Sequence, residues 1–207
     1  MGKVTVSQGD CIASMAHENG FFWETIWNHG ENAALKAKRG DPNQLVAGDE
    51  VFVPDKDLKQ ESCATEQRHK FKIKGATNKF RVQLKALDEP RANEDYVLEI
   101  DGKLRKGKTD SSGVIEEIIP GNARGGRIIL SGGKEEIPIR LGNLDPIDTL
   151  SGVQQRLNNL GFDCGGEDGE MNDQTKAAIE LFQTKHKVPV TGEADGPTKA
   201  KLKELHA

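Results

Sequence analysis

The stretch Val153–Leu205 reads VQQRLNNLGFDCGGEDGEMNDQTKAAIELFQTKHKVPVTGEADGPTKAKLKEL. Its apolar residues recur at helical spacing in three runs: Val153, Leu157 and Leu160; Ala178, Ile179 and Phe182; Leu202 and Leu205. Residues three and four apart share one face of a helix, and glycine-rich loops separate the runs. The spacing predicts a small three-helix bundle. Ser151 with Gln154 three residues on fits a capping box for the first helix. Asn172 or Asp173 can cap the second. Asp195 can cap the third, where Pro197 is tolerated in the first turn. Gly161 marks the end of the first.

Within this stretch VQ-x-x-L-x-x-LGF is followed by DGE, by T-x-x-A-I-x-x-FQ and by V-x-V-TG-x-x-D-x-x-T. In that order and register it resembles the peptidoglycan-binding domain of bacterial cell-wall enzymes. The resemblance implies a glycan-contacting surface at Asp168, Gly169, Glu170, Met171, Asn172, Thr175 and Gln183. Met171 and Asn172 stand where the family usually carries Phe-Gly.

Composition sets outer bounds on the other residues. The 207 residues are poor in aromatics (5%), rich in charge (30%) and carry 23 glycines, which favours several small cores over one large one. The net charge of −4 does not suggest a nucleic-acid partner. No apolar run is long enough to span a membrane. MGKVTVSQGD at the start lacks the apolar core of a secretory signal, so synthesis in the cytoplasm without a signal peptide is expected. Cys11, Cys63 and Cys164 are odd in number and far apart, against a disulfide framework and against a zinc site.

Residues 1–55 form the first unit. Val4 and Val6 alternate as a short strand. Gly9-Asp10 turns the chain, and Asp10 can cap a helix carrying Ile12, Met15 and Ala16 that ends at Asn19-Gly20. A second stripe follows at Phe22, Trp23, Ile26 and Trp27. Asp41-Pro42-Asn43 is a turn signal, and Val51 and Val53 make a closing strand before Pro54. The order is βααβ. Trp23 and Trp27 admit two readings, a core stripe or sugar-stacking faces.

VTVSQGDCIASMAHENG and DPNQLVAGDEVFVP, in that order, resemble the LysM domain. That family binds N-acetylglucosamine-containing glycans in a shallow groove. The resemblance places Gly9, Asp10, Cys11 and Ile12 on one wall and Asn43, Gln44, Leu45 and Val46 on the other. Cys11 stands where the family usually has Thr, and ENAALKAKRG, Glu31–Gly40, is inserted ahead of the Pro42-Asn43 turn.

Residues 56–68, KDLKQESCATEQR, are polar without periodicity and read as a linker. Residues 69–144 alternate at Phe71 and Ile73, at Phe80, Val82 and Leu84, at Tyr96, Leu98 and Ile100, and at Ile137, Ile139 and Leu141. Shorter strands fit around Thr109, Ile115 and Ile128. Turns are expected at Asp101-Gly102, Ser112-Gly113, Gly125-Gly126 and Gly132-Gly133, and six or seven such strands indicate a β-sandwich. YVLEIDGKLRKGKTDSSGVIEEIIP resembles Ig-like or transthyretin-like modules. Lys70, Lys72, Lys74, Lys79 and Arg81 tint this region basic. Asp101 and Asp110 read as turn residues rather than calcium ligands. DPIDTL then forms a short joint into a C-terminal domain at 145–207. The expected class is multidomain α+β: a LysM-like unit, a central β-sandwich and a C-terminal three-helix bundle.

Chemistry is not indicated. His17, His29, His69, His186 and His206 show no metal-binding spacing. Cys11 with His17 or His29 would sit in a unit too small for a catalytic cleft. Glu167, Asp168, Glu170 and Asp173 crowd one loop, whereas a glycosidase needs two carboxylates facing each other across a sugar. No catalytic residue, metal or cofactor is assigned. The expected function is non-catalytic, modular binding of peptidoglycan. The whole-chain order, including IWNHGENAALKAKRGDPNQLVAGDEVFVPD, also resembles LysM-containing proteins that accompany the spike of bacterial type VI secretion. That resemblance implies a secretion spike protein or effector as partner, and delivery to the periplasm or outside by a contractile machine. The alternative is a docking adaptor of a spike or phage-tail-like baseplate that binds protein rather than glycan.

Overall fold

The computed structural model describes residues 2–56, 62–70 and 77–206. The strand expected at Phe71 and Ile73, with Lys72 and Lys74, lies outside the described residues. The architecture is mixed α+β. The chain divides into two compact units, Met1–Asn43 with Ala47–Gly142, and Gln44–Val46 with Asn143–Ala207.

The first unit opens with β1 (Lys3–Thr5), α1 (Ile12–Asn19), α2 (Trp23–Trp27), α3 (Ala33–Arg39) and β2 (Glu50–Phe52). β1 and β2 pair antiparallel, with Val4 opposite Val51. Ile12, Ala16, Ile26, Val51 and Val53 are fully buried. The inserted segment Glu31–Gly40 supplies α3, a helix that periodicity had not separated from the loop. Arg39 anchors it: its guanidinium makes two bonds, at 2.7 and 2.8 Å, to the buried carboxylate of Asp49. Asn32, also buried, donates to the carbonyls of Ile26 and Phe52 at 2.8 Å and accepts the Phe52 amide at 2.7 Å. The expectation that Asp10 caps α1 is corrected. Cys11 occupies the cap position, with its amide donating to Ser14 Oγ at 3.1 Å, while Asp10 accepts the Ser7 amide at 3.0 Å.

The same unit carries an all-β part. β6 (Asp95–Ile100), β7 (Lys103–Lys108), β9 (Gly125–Leu130) and β10 (Glu135–Arg140) form an antiparallel sheet in the order β10-β9-β6-β7. β3 (Thr77–Gln83) and β8 (Val114–Pro120) pair separately, from Thr77 opposite Pro120 to Gln83 opposite Val114. β4 (Lys85–Ala86) and β5 (Glu89–Pro90) make a small hairpin. One core joins both ladders, with Phe80 and Ile115 from the pair and Leu98, Ile100, Ile128 and Leu130 from the sheet.

Two expectations fail here. Gly125-Gly126 is not a turn but the start of β9. A Cβ on Gly126 would collide with the Glu99 carbonyl oxygen, so these glycines let neighbouring strands approach. β7, KLRKGK, carries only a short apolar signal because it is an exposed edge strand, and the strand lies just before Thr109 rather than around it.

In the second unit α4 (Leu150–Asn159), α5 (Asp173–His186) and α6 (Gly196–Leu205) close over Val153, Leu157, Cys164, Ile179, Phe182 and Leu202. Asn172 and Asp195 cap α5 and α6 by accepting the amides of Thr175 and Thr198 at 2.8 and 3.0 Å. The Ser151–Gln154 capping box does not form. Thr149 is the cap, accepting the Gly152 amide at 3.1 Å, and Ser151 donates to Asp145 at 2.7 Å. Leu205 is more than a third exposed, so Leu202 alone carries the apolar seam of α6.

Candidate functional site

In the second unit the candidate residues separate into a buried frame and an exposed loop. Gln154, fully buried on α4, accepts the Gly169 amide at 2.8 Å. Its NH2 group lies 3.1 Å from the Glu170 carbonyl and 3.1 Å from the Thr175 hydroxyl. Gln183 repeats the arrangement on α5. It accepts the amides of Thr191 and Gly192 at 2.9 and 3.0 Å, and donates to the Glu193 carbonyl at 3.1 Å and the Thr198 hydroxyl at 2.8 Å. The two loops share a motif, GEMNDQT at 169–175 and GEADGPT at 192–198. In each, a glycine with positive φ lets the backbone turn back onto its glutamine. Thr175 and Gln183 are both fully buried, so they hold these loops rather than present a surface. Gln154, read as a capping residue in the sequence, is the partner that was missed. The repeated G-E-x-[N/D]-x-x-T is the signal that points to it.

Asp168, Glu170, Met171 and Asn172 are exposed. The Asp168 carboxylate accepts the Glu170 amide at 2.9 Å and the Gln154 side chain at 3.3 Å, which hold its pKa below the ordinary carboxylate value. Asp163, Glu167, Asp168, Glu170 and Asp173 bring five carboxylates to this loop, and no Lys or Arg lies between Arg156 and Lys176. The loop face is thus negatively charged.

A different surface of the unit is concave and largely apolar, lined by Gly161, Phe162, Asp163, Leu181, Thr184 and Lys185. Phe162 packs edge-on to Phe182 at 5.3 Å, and Lys185 Nζ lies 5.4 Å from the Phe162 ring centre. Leu181 is 63% exposed.

In the first unit Gly9 and Asp10 are already engaged. The Gly9 carbonyl accepts Arg124 Nη1 at 2.6 Å, and the Asp10 carboxylate pairs with Arg124 Nη2 at 2.9 Å. The hydrogen bond and charge of Asp10, with the charge of Glu18 alongside, raise the pKa of Arg124. Cys11 is buried and Ile12 fully so, with the Ile12 amide on the Pro42 carbonyl at 2.9 Å. Asn43 is exposed, its amide donating to Asp41 at 2.7 Å. Gln44, Leu45 and Val46 are counted with the second unit, where Leu45 is buried and Gln44 accepts from Arg156 at 3.0 Å. Trp27 is buried in the core and Trp23 half-buried.

Among the described residues no cluster of three or more His, Cys, Asp or Glu side chains is arranged to hold a metal, and no helix is long and apolar enough to cross a membrane. Residues 148–202 match the family model of the peptidoglycan binding domain, PG_binding_1. The match spans α4, α5 and most of α6, together with both glutamine-held loops. No curated protein and no solved structure matches the chain.

Proposed function

We propose that this chain is a non-catalytic, modular peptidoglycan-binding protein whose C-terminal unit carries the binding. The observation that supports the reading most directly is the family match over 148–202, in a unit whose two loops are held by buried glutamines. Loops fixed in this way hold α4, α5 and α6 in one arrangement, so little ordering entropy remains to be lost when a surface of the unit binds. In this reading residues 1–55 are a LysM-like module, residues 69–144 a β-sandwich spacer, and the chain works as an accessory of a contractile injection machine. The sequence resemblance of the N-terminal stretches and their order along the chain support those finer parts. A LysM-like module would add a second weak contact and raise retention through effective concentration.

The test is cosedimentation of the full chain with purified sacculi, with released muropeptides measured in the same tubes. Retention without release is expected. Muropeptide release would overturn the non-catalytic reading. Absence of retention, with copurification of a spike protein from the native host, would replace glycan binding by protein docking.

A further inference from the structure

We infer that peptidoglycan is held on the concave face of the C-terminal unit lined by Phe162, Leu181, Thr184 and Lys185, and not on the acidic loop at Asp168–Asn172. The inference rests on the peptidoglycan-binding reading and locates its surface. Peptidoglycan pairs pyranose rings, which present apolar C–H faces, with stem peptides that carry carboxylates. A matching surface needs an apolar floor, a cation and a few polar groups at the edge.

The concave face has each of these. Leu181 and Lys185 are four residues apart on α5 and therefore share one helix face. Leu181 is 63% exposed, an apolar side chain left in water beside the Phe162 ring. Lys185 brings a positive charge to the same ring. The Thr184 hydroxyl donates to the Glu180 carbonyl at 2.8 Å, which leaves its oxygen to accept from a sugar hydroxyl. Asp163, whose carboxylate accepts the Gly165 amide at 2.9 Å, supplies an acceptor at the edge. Gly161, at one end, adds no side chain to the face.

The loop at Asp168–Asn172 is unsuited on charge. Its carboxylates, with Glu167 and Asp173 alongside and no Lys or Arg between Arg156 and Lys176, repel an anionic stem peptide, whereas on the concave face the one carboxylate, Asp163, stands with the Lys185 cation. The Gly169 and Glu170 amides and the Glu170 carbonyl are also taken up by Gln154 and Asp168. Charge complementarity therefore separates two surfaces of one small unit.

The experiment is retention of the full chain on sacculi for Leu181→Ser, Lys185→Gln, Glu170→Gln and the unaltered protein, with thermal melts to show that each variant folds. All three altered side chains are exposed. A loss of about tenfold in affinity is expected for Leu181→Ser and about fivefold for Lys185→Gln, with Glu170→Gln unchanged or tighter. Sacculi with chemically amidated carboxylates should bind the unaltered chain less well, and Lys185→Gln as before. Retention that survives both groove substitutions overturns this assignment alone, and so does loss confined to Glu170→Gln. No retention of the unaltered chain overturns the peptidoglycan-binding reading and this assignment with it.

Discussion

The side chain of Gln183 donates to the hydroxyl of Thr198 at 2.8 Å, and both residues are fully buried. Gln154 and Thr175 meet in the same way at 3.1 Å. Each pair ties a helix to the first turn of the next helix, and each glutamine also accepts the amide of a positive-φ glycine in the intervening loop. A glutamine can do this because its amide carries two donors and an acceptor at a fixed separation.

Gln183→Leu keeps the volume but leaves the Thr191 and Gly192 amides and the Glu193 carbonyl without their partner. Buried polar groups left unpaired cost about 1–3 kcal/mol each, and water would recover part of this at the loop edge. A loss of about 3 kcal/mol is expected in urea unfolding followed by helical circular dichroism. Thr198→Val removes one bond of the Gln183 set and the bond of 2.6 Å that the Thr198 hydroxyl donates to Asp195, and should cost about 2 kcal/mol in the same assay. Equal losses for the two variants would show that Gln183 is not the centre of the network.

Gly107 and Gly126 both lie under close contacts, but the contacts differ in kind. A Cβ on Gly107 would meet the ring and hydroxyl of Tyr96, directly across the β6–β7 ladder. A Cβ on Gly126 would meet the Glu99 carbonyl and the Ile100 backbone. A side chain can move at a cost of about 1–3 kcal/mol, whereas a paired strand backbone moves only if the ladder opens. Gly107→Ala should therefore fold with a lowered melting temperature. Gly126→Ala should lose β-sheet signal and protection of the β6 and β9 amides in hydrogen exchange.

The sequence carried the helices of the C-terminal unit well because their buried residues repeat at i, i+3 and i+4. Val153, Leu157, Ile179 and Phe182 all fall in that core. β6 was equally legible from the alternation of Tyr96, Leu98 and Ile100, each of which faces inward. The errors arose where polar residues or glycine do structural work. Asn32 and Gln154 look like surface residues in a string of letters but are buried hydrogen-bond centres. The Gly125-Gly126 pair has the composition of a turn, and only the approach of Glu99 shows why a strand needs it. Arg39 and Asp49 join α3 to the end of the Asp41–Asp49 loop across residues that no periodicity links. Of the candidate glycan contacts, sequence order alone could not separate exposed Met171 from buried Thr175 and Gln183.

The thiols should differ sharply in reactivity. Cys63 is exposed, and Cys11 and Cys164 are buried. Burial, with the nearby Asp163 and Glu167 carboxylates, pushes the Cys164 thiol up to about 11, so little thiolate forms at neutral pH. A maleimide added to the native protein at neutral pH is expected to label Cys63 alone, with Cys11 and Cys164 following only on denaturation. Peptide mass mapping checks this. Rapid native labelling of Cys164 would show that the core beneath α4 and α5 opens readily.

Tyr96 gives the β-part of the first unit a pH dependence that can be read at one residue, because it is the single tyrosine of the chain. Its hydroxyl donates to Glu117 at 3.0 Å, and its side chain is 5% exposed. Burial first, and then the hydrogen bond and negative charge of Glu117, favour the neutral phenol and push its pKa up to about 12. An unfolded tyrosine titrates at about pH 10. The folded state therefore holds this proton more tightly than the unfolded state. The stability it contributes is fully present below about pH 10 and is lost as the pH rises from there through the folded value. Phenolate absorbance of the native protein should appear only well above the pH at which a denatured sample shows it. Unfolding free energy should fall between those two points in the unaltered chain and fall less in Tyr96→Phe. At neutral pH the Phe variant should be less stable by about 1 kcal/mol, the typical worth of one hydrogen bond. A phenolate transition in the native protein close to that of the denatured chain would show that Tyr96 is open to water, with no such pH-dependent contribution to stability.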